Sequence, residues 1–268
     1  MTDRNPRAGE MADESMVRAL AHQADAIWPQ EEPVFRRHRL PADARILDVG
    51  CGTGEIMGRL SNMFPGGQLV GVDLNDSHLA LARQRWPLVE LHHADAFELP
   101  FAPATFDMVV CRHVLQAIPT PERVLAEMAR VAKPGGVLHV IAEDYDMIHA
   151  GPTRRDVSVF WHGAPRAYGK ATGVDHYIGR HAFHHLHALG ATEIAIDYAV
   201  VDTLRVPRET VAAIFDAWRD GYEATVGPHV DISEADARDY FDATIECVRN
   251  PGGYAVWLVP IVTARTAR

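Results

Sequence analysis

The chain has 268 residues, 47% of them hydrophobic, and a formal net charge of -10 at pH 7. That is enough apolar material to bury one substantial core with appended elements. The acidic balance excludes a surface built for DNA or RNA, because nucleic-acid affinity rests largely on Lys and Arg neutralising phosphates.

The opening MTDRNPRAGEMADES has no apolar stretch of the kind a secretory leader needs, and about 18 consecutive apolar residues occur nowhere, so a cytoplasmic protein without a membrane span is expected. Met16, Leu20, Ala24 and Trp28 predict an amphipathic helix over residues 14 to 28. After Pro41, strand-like runs at Arg45 to Val49, Gln68 to Val72, Phe106 to Cys111 and Val137 to Ala142 alternate with helical patterns. This alternation predicts a parallel α/β sheet. Among the intervening helices, Leu79, Ala82 and Trp86 share one face, while Thr120-Pro121 opens a later helix that Lys133-Pro134-Gly135-Gly136 stops. Cys51, Cys111 and Cys247 show no Cys-x-x-Cys spacing, so reduced thiols are expected.

The stretch from His149 to Gly179 reads as a loop carrying Trp161, His162, Tyr168 and Tyr177, followed by a helix over Arg180 to Leu189. That helix contains His181 and His185 at a spacing that suits a metal, but it lacks the glutamate of a His-Glu-x-x-His pattern. A polar face, with no metal, is the better expectation. Beyond a sixth strand at Thr192 to Tyr198, two helices are predicted between Pro207 and Arg249. The first carries Val211, Ile214, Phe215, Trp218 and Tyr222; the second starts at Ser233-x-x-Asp236 and carries Tyr240, Phe241, Ile245 and Val248. A last strand is expected at Tyr254 to Val262.

Ile46-Leu47-Asp48-Val49-Gly50-Cys51-Gly52-Thr53-Gly54 puts three glycines where a buried strand turns into a helix. Such a turn lets a ligand approach the backbone and face a helix N-terminus. Dinucleotide sites share the feature, but the third glycine here comes one residue too early for G-x-G-x-x-G. The run instead resembles the first motif of the class I S-adenosylmethionine-dependent methyltransferases, apolar-apolar-acidic-apolar-Gly-x-Gly-x-Gly. Gly71-Val72-Asp73-Leu74, Ala94-Asp95-Ala96 with Leu99-Pro100-Phe101, Phe106 to Val110, and Ala132-Lys133-Pro134-Gly135-Gly136 extend the resemblance in the family's order. It covers roughly residues 42 to 145 and implies a Rossmann-like, seven-stranded mixed sheet with a final antiparallel strand.

The resemblance also implies roles. Asp48 would orient the first turn and hold the amino group of S-adenosyl-L-methionine, with Gly50, Gly52 and Gly54 giving backbone access and Arg112 nearby. Asp73 would bind both ribose hydroxyls, since a carboxylate accepts two hydrogen bonds from a cis diol. Leu74 would pack on adenine, Asp95 would accept from its exocyclic amine, and the Ala96 amide would meet a ring nitrogen.

Methyl transfer mainly requires a nucleophile held close to the methyl carbon. His113 either takes a proton from the acceptor or packs against the cofactor. Glu143, Asp144, Tyr145 and Asp146 form an acidic edge that either pairs with a cationic amine or is a solvated loop. His113, Glu143 and Tyr145 are therefore the catalytic candidates, and Asp144, Trp161, Tyr177, Trp218 and Tyr222 the substrate-binding ones. The expected organisation is an N-terminal helical cap (1–40), a cofactor-binding core (41–206), a helical insertion acting as a substrate lid or as packing (207–250), and a final strand with its tail (251–268). The expected reaction is methylation of a small molecule, with an amine or heterocyclic nitrogen narrowly ahead of oxygen; protein methylation and a non-catalytic cofactor-binding subunit are the alternatives. The partner expected is the methyl acceptor, with homodimerisation open.

Overall fold

The computed structural model describes residues 14–267; expectations resting on residues 1–13, on Arg268 or on the Met16 side chain lie outside the described residues. Eight strands form one sheet: β1 (Arg45–Val49), β2 (Gln68–Asp73), β3 (Glu90–His93), β4 (Phe106–Arg112), β5 (Ala132–Ile141), β6 (Ile148–Gly151), β7 (Thr192–Asp202) and β8 (Tyr254–Arg265). The order is β3-β2-β1-β4-β5-β8, with β7 along the far side of β8. Strands β1 to β5 pair in parallel, and β8 runs antiparallel to β5, β6 and β7. The strand beyond the seven expected is β6, four residues pairing with Tyr254 to Trp257 of β8.

Alternating residues of the central strands feed two different cores, as a pleated strand requires. Ile46, Met108, Val110 and Val137 pack with Phe35 of α1 (Glu14–Arg37), with α2 (Glu55–Met63) and with α3 (Asp76–Arg85). Leu47, Val109, Leu138 and Val140 pack on the other face against α4 (Pro121–Val131) and α6 (Ile178–Ala188). A third core joins α1, α5 (Ser158–Thr172), α7 (Arg208–Val230) and α8 (Glu234–Arg249) to β7 and β8 through Phe160, Trp161, Phe215, Trp218, Phe241 and Trp257. Burying each such large side chain contributes on the order of 1.5–3 kcal/mol.

Three expectations are corrected. The first helix does not stop near Trp28 but runs through Pro29 and Pro33 to Arg37. A proline inside a helix costs about 3 kcal/mol; burial of Ile27, Val34 and Phe35 offsets it. The stretch from His149 to Gly179 is not a loop: it holds β6 and α5. Gly163, Pro165 and Gly169 conceal the helix from a propensity reading, although Phe160, Trp161, Ala164 and Tyr168 form a buried helical face. The Lys133-Pro134-Gly135-Gly136 segment does follow the end of α4, but as the start of β5, with Gly135 at φ 74° and a register irregularity opposite Phe106 to Met108.

Candidate active site

Two clefts open among the loops at the C-terminal ends of the parallel strands, where ligands of open α/β sheets sit. The first encloses about 820 Å³ of space, part of it open to solvent. Gly50 and Gly52 line it after β1, Asp73 and Leu74 at the end of β2, Asp95 and Ala96 after β3, and Arg112 to Val114 at the end of β4; Leu20 of α1 closes one side. Its continuation beneath the first turn reaches Asp48 and Thr53.

The turn itself is tightly determined. Gly50 and Cys51 donate their amides to Val72 O at 2.8 and 2.9 Å. Gly50 has φ 72°, and a Cβ there would lie 2.3 Å from Val114 Cγ2, so only glycine fits. Gly54 is a correction: it lines neither cleft. It initiates α2 in the left-handed region, and a Cβ would lie 2.6 Å from Trp86 Cδ1, so its role is helix packing.

Asp73 accepts from Gly52 N through Oδ2 and from Asn75 N through Oδ1, both at 2.8 Å. Each carboxylate oxygen keeps a further lone pair for a ligand hydroxyl. Asp95 similarly caps its own loop, accepting from Phe97 N at 2.9 Å. Asp48 is buried, and its Oδ2 has no partner in the protein. Burial pushes its pKa up to about 7; Arg112 opposes the rise, while the charges of Asp73 and Glu31 add to it. A cationic ligand group beside Asp48 would restore its ionised form.

Arg112 borders the cleft, yet its guanidinium belongs to a buried cluster invisible in the sequence. Its Nε donates to Glu31 Oε1 at 2.9 Å, its Nη2 pairs with Oε2 at 2.9 Å, and His139 Nε2 lies 2.9 Å from Oε1. Phe35 stacks on His139 with ring centres 3.9 Å apart. Glu31 therefore ties α1, which supplies Leu20, to β4 and β5.

His113 follows β4 at φ 57°, in the left-handed region that a residue carrying a Cβ seldom adopts, and its amide is fixed by Ile141 O at 3.0 Å. The ring is oriented by Glu143 beyond β5: Nδ1 lies 2.5 Å from Oε1. His113 and Glu143 are both buried, and neither His113 Nε2 nor Glu143 Oε2 has a protein partner. His113 lines the first cleft and Trp257 lies beside it, 6.2 Å between ring centres. Carboxylate, imidazole and cleft thus form a chain in which one ring nitrogen is held and the other is available.

The second cleft, about 600 Å³, is walled by Tyr145, Phe160, Trp161, Tyr168, His176, Trp218, Tyr222 and Phe241, together with Gln116 and Ala117. Ala117 also lines the first cleft, so the two share a wall. The sequence-predicted Trp161, Trp218, Tyr222 and Tyr145 are all here, brought from α5, α7 and the loop after β5. Gln116, His176, Phe160 and Phe241 were missed as site residues; the aromatic periodicity of α5 was the available signal. Burial, with the nearby Glu143 and Tyr222, holds the Tyr145 phenol well above its usual range, so it enters chemistry as a neutral hydroxyl.

Two substrate candidates are corrected. Asp144 is fully buried, both its oxygens engage Arg180, and it caps the short helix Tyr145–Met147. Tyr177 packs against Arg166 and Arg180 and donates to His162 O at 3.3 Å, away from the second cleft. With Asp146 also paired to Arg180, the acidic edge presents no free carboxylate cluster. His181 pairs with Asp175 at 2.6 Å, and among the described residues no group of three or more His, Cys, Asp or Glu is arranged to hold a metal.

Residues 47–140 match the methyltransferase domain family model. Over that segment the chain is similar to the class I S-adenosylmethionine-dependent methyltransferases. Similar curated proteins include the demethylmenaquinone methyltransferase of Bacillus cytotoxicus, 35% identical over 45% of this chain and 53% of the relative. The phosphatidylethanolamine N-methyltransferase of Cereibacter sphaeroides is 38% identical over 36% of this chain and 49% of the relative. This chain therefore spans about half the length of the curated relatives it matches. Among solved structures, phosphoethanolamine N-methyltransferase 2 of Haemonchus contortus, in complex with phosphomonomethylethanolamine and S-adenosylhomocysteine, shares the fold at TM-score 0.55 and 20% identity, over 90% of this chain and 53% of that chain. The methyltransferase match ends at Val140, so Glu143 and the α5, α7 and α8 walls of the aromatic cleft lie beyond the segment these families share. No helix among the described residues is long and apolar enough to cross a membrane.

Proposed function

We propose that this methyltransferase binds S-adenosyl-L-methionine in the first cleft and methylates a small planar molecule held in the aromatic cleft, at a hydroxyl whose proton passes to His113. The residues fit the cofactor. Gly50 and Gly52 leave room at the backbone, Asp73 retains acceptor capacity for a diol, Leu74 and Ala96 offer an apolar wall, and the unpartnered Asp48 Oδ2 suits an ammonium group. When bound, S-adenosyl-L-methionine supplies an electrophilic methyl group.

The observation that carries the reading is the His113–Glu143 pair beside the shared wall of the clefts. Glu143 fixes the ring and stabilises the imidazolium; Nε2 takes the acceptor's proton. The aromatic cleft orients a flat ring by stacking and excludes water around the nucleophile. α7 and α8 supply Trp218, Tyr222 and Phe241 to it, so the helical insertion acts as its cover as well as packing. A hydroxyl is preferred over an amine because no carboxylate lines the aromatic cleft, and Asp144 and Asp146 are already paired with arginine.

The test is conversion of S-adenosylmethionine to S-adenosylhomocysteine with hydroxylated aromatic acceptors and matched amines. His113→Asn and Glu143→Gln are each expected to lower turnover about 100-fold or more, flattening the acid limb of the pH profile, with S-adenosylhomocysteine affinity unchanged. Full activity in both variants would remove the base assignment. Methylation of the amines alone would replace the hydroxyl reading with one in which the rings hold a cation.

A further inference from the structure

His113 has a neighbour whose chemistry the reaction does not use. Three residues later, in the short helix Leu115–Ala117, Gln116 places its side chain in the wall of the aromatic cleft. The residue is only 6% exposed, and its Oε1 is buried without a hydrogen-bond partner in the protein. A buried carbonyl oxygen left unmet is unfavourable, and an apolar side chain of similar size would line an aromatic cavity at no such cost. Helix formation does not require glutamine here either, because the Val114 backbone starts this turn and Leu115 supplies its apolar anchor.

The geometry points to Gln116 as the specificity-determining residue of the acceptor cleft: its carboxamide oxygen receives a second hydrogen-bond donor, an O–H or N–H, that the acceptor carries besides the hydroxyl it presents to His113. This rests on the methyl-transfer reading above and narrows it to polyhydroxylated or amino-hydroxylated rings. Three features support it together. Gln116 shares its short helix with Ala117, which borders both clefts, so a ring contacting Gln116 lies at the junction rather than deep among α7 and α8. The other lining residues include the aromatic rings of Tyr145, Trp161 and Trp218, which hold a flat molecule by apolar contact and carry little to fix its rotation in the plane. One oriented amide at the edge fixes that rotation and so selects which hydroxyl meets His113. A site built to satisfy a donor also rejects the analogue lacking it, because the buried oxygen is then left unmet.

The experiment compares phenol with catechol, resorcinol and hydroquinone, which set the second donor at three positions on the same ring. Binding to the full chain saturated with S-adenosylhomocysteine is read from the fluorescence of Trp161 and Trp218, and turnover is read separately with S-adenosylmethionine. One dihydroxybenzene is expected to bind about 10-fold or more tighter than phenol. In Gln116→Leu and in the unbranched Gln116→Met that advantage is expected to vanish while phenol binding stays within about 3-fold; S-adenosylhomocysteine affinity serves as the folding check for both. Equal binding of all four rings by the wild type, no binding of any, or a preference that survives both substitutions would overturn the assignment. Turnover without ring preference would remove Gln116 but leave the methyl-transfer reading standing. Ring preference that depends on Gln116, without turnover, would keep the assignment and remove the transfer reading.

Discussion

Glu31→Ala is expected to be among the most damaging substitutions outside the hydrophobic cores. Glu31 is fully buried, and its two oxygens neutralise the Arg112 guanidinium, itself 7% exposed, while one also meets His139. Removing the carboxylate strands a buried cation, at a cost of about 3–5 kcal/mol. For a chain of this size each kcal/mol corresponds to about 2–4 °C, so the melting temperature is expected to fall by about 6–20 °C. Burial works against the charge on Glu31, but Arg112 and His139 outweigh it and hold its pKa below the ordinary 4.5. A depressed acid stabilises the fold above its unfolded value and loses that contribution as pH falls through the folded one. The gap between wild type and variant is therefore widest at neutral pH and narrows below about 4.5. Urea unfolding at several pH values measures it. If the stranded charge is the cause, Glu31→Ala with Arg112→Met recovers part of the loss. A cost below about 1 kcal/mol, or no recovery in the double variant, would refute the reasoning.

Asp73→Ala is expected to weaken S-adenosylhomocysteine binding by about 1–3 kcal/mol in calorimetry, through lost charge-assisted hydrogen bonds and a loosened Gly52 amide; unchanged affinity removes it from the site. Asp48 has its pKa raised to about 7, so the folded state holds a proton that the unfolded state releases above about 4. Its contribution to stability therefore falls as pH rises from about 4 to 7, and Asp48→Asn is expected to gain stability relative to wild type across that window; parallel pH profiles would contradict this. Trp218 is 3% exposed and touches Trp257, Phe215 and Tyr145 at ring-centre distances of 5.0, 5.4 and 5.7 Å. Trp218→Ala should cost about 3–5 kcal/mol in denaturation and also raise the acceptor's KM per folded molecule; normal kinetics in a destabilised variant would reduce it to packing.

The first cleft was legible because its residues follow consecutive strands, where short-range rules operate. Gly50, Gly52, Asp73, Asp95 and Ala96 each sit at a strand end or within three positions beyond it, and the sheet order brings those ends together. The same logic misled for Gly54, which looks identical in sequence; only the packing of Trp86 shows that its missing side chain serves the helix. The acidic edge failed for a related reason. Glu143, Asp144 and Asp146 are near neighbours in the chain, but their partners, His113 and Arg180, are about 30 residues or more away, a separation over which no local pattern operates.

Periodicity, then, was sufficient to determine the parallel sheet, because alternation acts over a few residues, whereas the antiparallel closing strand and the residues of the first cleft were implied by the family resemblance. What belonged to the tertiary structure alone was the pairing of charges and the assembly of the second cleft. Glu31 meets Arg112 across 81 residues. Trp161 and Trp218 meet at 6.3 Å because α5 and α7 pack together. A buried charge finds its counter-charge, and a ring its neighbour, only when the whole chain has excluded water around them; the unpartnered atoms of His113 and Gln116 become visible at that stage and no earlier.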